Sequence, residues 1–167
     1  MGFFESRFFE PTWKNKVLIL QLAFTVLVFI LGIAKIATTP SGIPMNRMDI
    51  VAITMSIKSG VFLAYEIMTM KMERFKRFGS LKAYAVLNTI DVFFWAAVMG
   101  FSFKSVDTIC SGANCAIGVV TGVMALFNSA IHFWAAVIAW KNHRHFKTYG
   151  VSRGQDEPKN MRSTYRV

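Results

Sequence analysis

Residues 17–37 read VLILQLAFTVLVFILGIAKIA, an unbroken apolar run in which Lys35 is the one charged residue. At 1.5 Å per residue a helix of this length spans about 30 Å, the thickness of bilayer hydrocarbon. Three more runs of the same kind follow at 49–70, 83–103 and 115–140. Of the 167 residues 54% are hydrophobic and 17% charged, and mean hydropathy is +0.42, which excludes a soluble domain built around one core. The runs are continuous, not alternating, so a β-barrel is excluded as well. The fold class that follows is all-α: an integral membrane four-helix bundle over 17–149, preceded by an interfacial segment at 1–16 and followed by a flexible basic tail at 150–167. Lys14 and Lys16 ahead of the first run also suit a signal peptide. That run is too long for an h-region, however, and Lys35, Ile36 and Ala37 make a poor cleavage site, so the segment is expected to stay as the first span.

Net charge is +10, and its distribution carries more information than its size. Fifteen of the 19 Lys and Arg residues fall in three places: Arg7, Lys14 and Lys16 before the first span, Lys71, Arg74, Lys76, Arg77 and Lys82 in the second loop, and seven residues from Lys141 onward. Positive-inside sorting predicts cytoplasmic N and C termini and a cytoplasmic second loop, and it accounts for the charge without nucleic acid. The five second-loop cations interleave with Phe75 and Phe78, which suits contact with anionic lipid headgroups; topology signalling alone requires the same charges. Phe3, Phe4, Phe8, Phe9 and Trp13 suit either an interfacial amphipathic helix or an aromatic belt.

With that orientation the third loop faces outward. Cys110 and Cys115, separated by SGAN, are expected to close a small disulfide loop there, the alternative being two free thiols. His143 and His145 stand among Lys and Arg and read as a solvated helix end, and two cysteines alone make a poor zinc site, so no metal is expected.

Ionisable side chains within spans are costly and turn toward the bundle interior. Counted inward from the basic ends of the spans, Gln21, Glu66 and Asn88 form a layer about 6 Å deep, Asp91 and His132 one about 12 Å deep, and Lys58 and Asn128 one about 18 Å deep. Asn88 and Asp91 share one helical face, as do Asn128 and His132. A Lys58 side chain bent by one turn reaches the middle layer. The expectation is a Lys58–Asp91 ion pair with Asn128 and His132 completing its hydrogen bonds, and Glu66 paired with a second-loop cation. Such a network either fixes helix register or forms a proton or ion path.

Ser56, Gly60 and Ala64 recur at intervals of four on the second span, and Gly118 and Gly122 do so on the fourth, which favours close helix packing within or between subunits. Leu63, Tyr65 and Lys71 match a weak sterol-contact pattern. No HExxH, P-loop, dinucleotide fingerprint or GxSxG is present, and the outward loops have no room for a catalytic domain, so neither enzyme activity nor a cofactor is expected.

The segments FFEPTWKNKVLILQ, IKSGVFLAYEIMT and ERFKRFGSLKAYAVLNTIDVFFWAAV, with four spans and a cysteine pair in the second outward loop, resemble the MARVEL family of tetraspanning proteins, in particular fungal MARVEL-like membrane proteins. The likeness runs over about 8–147. It implies a scaffold for membrane microdomains or trafficking at the plasma membrane or in the secretory pathway, in contact with lipids, with copies of itself or with a partner membrane protein. It supplies no catalytic residues. The competing classes are an accessory subunit of a larger membrane enzyme or transporter, and an oligomeric proton or ion pathway that uses Lys58, Asp91 and His132.

Overall fold

A computed structural model describes residues 13–39, 47–72, 74–75, 79–108 and 112–150. These form four helices: α1 (Lys14–Ala37), α2 (Arg47–Lys71), α3 (Leu81–Thr108) and α4 (Gly112–Tyr149). All four are long and apolar enough to cross a membrane. A lone helix suits hydrocarbon because it satisfies its own backbone donors and acceptors. Hydroxyl side chains obey the same demand: Thr54, Ser56, Thr69, Thr89 and Thr121 each donate to the carbonyl four residues back.

Short connections make neighbours antiparallel, and the helices close into a ring in which α1 meets α2 and α4, while α3 meets α2 and, most extensively, α4. Helix ends come from local chemistry. Thr38 closes α1, with its N–H on the Ala34 carbonyl at 3.0 Å. Gly150 closes α4 at φ +72°, a left-handed conformation open to glycine, with its N–H on the Phe146 carbonyl at 2.9 Å.

The helices exceed the expected spans, most of all α4, whose 38 residues make a rod of about 57 Å that overshoots hydrocarbon by many residues at the basic end. Cys115 therefore lies inside α4, not in a loop. Cys110 falls outside the described residues, as do positions 1–12 and the tail from 151, so the expected bridge, interfacial segment and flexible tail lie there too.

Burial follows a heptad. In α1 the buried positions include Leu18, Gln21, Thr25, Val28, Gly32 and Lys35; in α3 they include Asn88, Asp91, Trp95, Val98, Ser102 and Ser105. α4 repeats the pattern at Asn114, Gly118, Thr121, Ala125, Asn128 and His132. Intervals alternating between three and four place one residue per 3.5 on the seam, the spacing of left-handed coiled-coil packing. The seam mixes polar and small residues with a few apolar ones such as Val28, Trp95 and Val98, and many large apolar side chains point away from it: Ile19, Val26, Ile30, Val61, Phe93, Leu126 and Phe133 are all exposed. Such a surface suits lipid, and in water it would form one contiguous apolar patch.

The small residues divide accordingly. A Cβ on Gly118 would meet Val106 Cγ2 at 2.5 Å, and one on Gly122 would meet the Phe103 ring at 3.1 Å, so both glycines admit α3. The α2 stripe does not act as one packing face. Ser56 is buried, Gly60 has nothing within 4 Å of its Cβ position and Ala64 is exposed, because steps of four advance about 40° each around a helix. The sterol pattern breaks up for the same reason: Leu63 points into the bundle, Tyr65 lies against Tyr84 and Lys71 faces out.

Gly118→Leu is expected to destabilise the bundle by about 1–3 kcal/mol through overpacking, whereas Gly60→Leu stays within about 0.5 kcal/mol. Thermal unfolding of the two variants in mild detergent checks the contrast.

Candidate functional site

The polar side chains of the seam meet in two groups. The larger lies toward the basic end and joins all four helices. Asn88 Nδ2 donates to Glu66 Oε1, Gln21 Nε2 donates to Asn88 Oδ1 at 2.9 Å, and the same amide nitrogen lies 3.0 Å from His132 Nδ1. The carboxylate sets the direction of this chain. An acceptor at Glu66 makes Asn88 a donor through nitrogen, which leaves the Asn88 oxygen to accept from Gln21; the second amide hydrogen of Gln21 then points to Nδ1 and places the ring proton of His132 on Nε2.

Asp91 sits beside this chain, 2% exposed, with Oδ2 at 3.8 Å from His132 Nδ1. Ser59 Oγ donates to Asp91 Oδ2 at 2.8 Å and receives Trp95 Nε1 at 3.3 Å. Lys58 Nζ lies 3.3 Å from Asp91 Oδ1. The Lys58 side chain, 29% exposed, runs along the flank of the bundle with its ammonium 3.3 Å from the centroid of the Phe94 ring and 4.6 Å from that of Phe62. Two aromatic faces and a carboxylate thus hold a cation at a depth where water is scarce.

The structure brings Lys58, Asp91 and His132 together but separates Asn128 from them. Asn128 Nδ2 reaches Thr25 Oγ1 on α1 at 3.4 Å, because one turn farther along α4 the seam faces α1. Asn128 Oδ1 and His132 Nε2, an acceptor and a donor one turn apart, have no protein partner among the described residues. They are complementary, the arrangement that suits a bridging water.

Glu66 also differs from expectation. Its side chain turns inward to Asn88, away from the second loop, and the nearby cation is Lys14 of α1. Lys14, Gln21, Glu66, Tyr84 and Asn88 surround a void of about 20 Å³, room for one water. Of the expected lipid-contact residues, Lys71, Arg74 and Lys82 are exposed at this end, and Lys76 and Arg77 lie outside the described residues.

The second group lies at the opposite end. Lys35, the one charged residue of the first run, is 4% exposed and donates to Ser105 Oγ across the bundle at 2.8 Å. Asn114 Nδ2 binds the Lys35 carbonyl at 3.0 Å and Thr39 Oγ1 at 3.2 Å, and Gly118 leaves space for the lysine stem. Between the groups Val28, Ala52, Trp95, Val98 and Ala125 form an apolar collar. Lys35, Ser59, Trp95, Ser105 and Asn114 escaped the sequence analysis; the signal that would have found them is the three-four spacing of small polar residues with Gln21, Asn88 and Asn128.

For metal binding, no three His, Cys, Asp or Glu side chains converge among the described residues. No protein-family model, curated protein or solved structure matches the chain.

Asn88→Leu removes the link between Gln21 and Glu66 and leaves both polar groups buried. It is expected to cost about 1–3 kcal/mol for each unsatisfied group. Chemical unfolding in detergent checks it, with Thr54→Val, on an exposed face of α2, as the neutral reference.

Proposed function

We propose that this chain is a non-enzymatic membrane scaffold of MARVEL-like kind, held in the plasma membrane or the secretory pathway with both termini cytoplasmic, whose outer faces pack against lipids and further copies of the chain. The observation that carries this reading is the division of labour in the bundle. Polar seam residues are engaged with one another, an apolar collar separates their two groups, and large apolar side chains are turned outward. A bundle with its polar groups spent on internal contacts keeps its outward surface for association.

A proton or ion pathway is the second reading, favoured by one observation: the Gln21–His132–Asp91 sequence that leads from the basic end to the collar. Liposomes carrying the purified chain are expected to hold a pH gradient as well as empty ones. Dissipation that disappears in Asp91→Asn would replace the scaffold with the pathway. Chemical cross-linking in native membranes is expected to trap defined homo-oligomers, and a strictly monomeric chain would remove self-association from the proposal.

Orientation has its own test. After reduction, an impermeant maleimide is expected to reach Cys110 and Cys115 from outside the cell; labelling from the cytosolic side would invert the topology.

A further inference from the structure

At the basic end the starts of α1 and α3, the end of α2 and the far part of α4 line an open cavity of about 650 Å³. Lys14 of α1, Lys82 of α3 and His143 of α4 stand in its wall, together with Ser80, Asn142 and Phe146. Among the described residues no Asp or Glu lines it. The Lys14 ammonium lies 4.5 Å from the centroid of the Tyr84 ring, and Lys14 also lines the small void that Glu66 borders. α3 opens here with no acidic residue in its first turn, so its backbone N–H groups add to the positive field of the three side chains.

Position and size narrow the ligand. Trp13 adjoins Lys14, and Trp140 lies two residues ahead of Asn142; tryptophans of this kind settle at headgroup depth. A volume of this order matches organic ligands and far exceeds what inorganic phosphate fills. Cations for a phosphate, polar groups for its substituent and an aromatic flank toward the acyl region describe a phospholipid headgroup.

We propose that this cavity binds the headgroup of an anionic phospholipid, with Lys14 and Lys82 on the phosphate and Asn142 and His143 on its polar substituent. The site rests on the reading of the chain as a membrane protein whose basic end lies among headgroups. It would make the scaffold selective for an acidic leaflet.

The test uses the full chain in mild detergent doped with equal amounts of phosphatidylserine and phosphatidylcholine, with retained lipid counted by native mass spectrometry. One phosphatidylserine per chain is expected, in preference to phosphatidylcholine. Lys82→Gln should weaken retention about fivefold, and Lys14→Gln with Lys82→Gln about 30-fold, while Lys104→Gln at the other end changes nothing. Because Lys14 also faces Glu66, the exposed Lys82 provides the variant that leaves the fold intact. Equal retention of the two lipids, or undiminished retention in Lys82→Gln, overturns the site. Release of the lipid by millimolar inorganic phosphate also overturns it, in favour of a free-anion site. Cross-linking reads self-association separately, so a failure here leaves the scaffold standing.

Discussion

A polar group buried among apolar side chains finds no partner but another polar group, and that constraint shapes this bundle. In water, helices associate by hiding apolar surface; in lipid the apolar surface is already solvated, and association has to come from close packing and from polar groups that find one another. The seam uses both. Gly118 and Gly122 bring α3 against α4, Gln21, Asn88 and His132 tie α1, α3 and α4 into one hydrogen-bonded chain that Glu66 extends to α2, and Asp91 beside it binds Ser59 of α2. The interior is thus more polar than the surface, the reverse of a soluble protein.

The same constraint decides what could be read in advance. Length and apolar continuity revealed the four helices directly, since crossing hydrocarbon fixes both. Lys58 and Asp91 were legible because unpaired charges at such depth are too costly to leave apart. Ser59 and Trp95 were not, because a serine in a membrane helix can return its proton to its own backbone, and a tryptophan reads as apolar. Lys35 went unassigned for another reason: it stands near the end of its run, and only the heptad through Val28 and Gly32 turns it inward.

Two polar groups divided by an apolar collar also give the bundle an electrical asymmetry. The group at the basic end couples carboxylates to cations across α1, α2 and α3, whereas at the opposite end the buried Lys35 ammonium meets the Ser105 hydroxyl and its backbone carbonyl accepts from Asn114. α1, α3 and α4 contribute to both groups, so their register is held at two levels of the bundle.

α4 runs without a break from Gly112 to Tyr149, from the outer polar group through the collar to well beyond the other bundle end. An uninterrupted α-helix is stiff in torsion and bending over this distance. A load on its last turns, beyond the buried Ala139, is therefore felt along the same rod at Asn128 and His132. Whatever grips those turns holds a lever on the bundle interior.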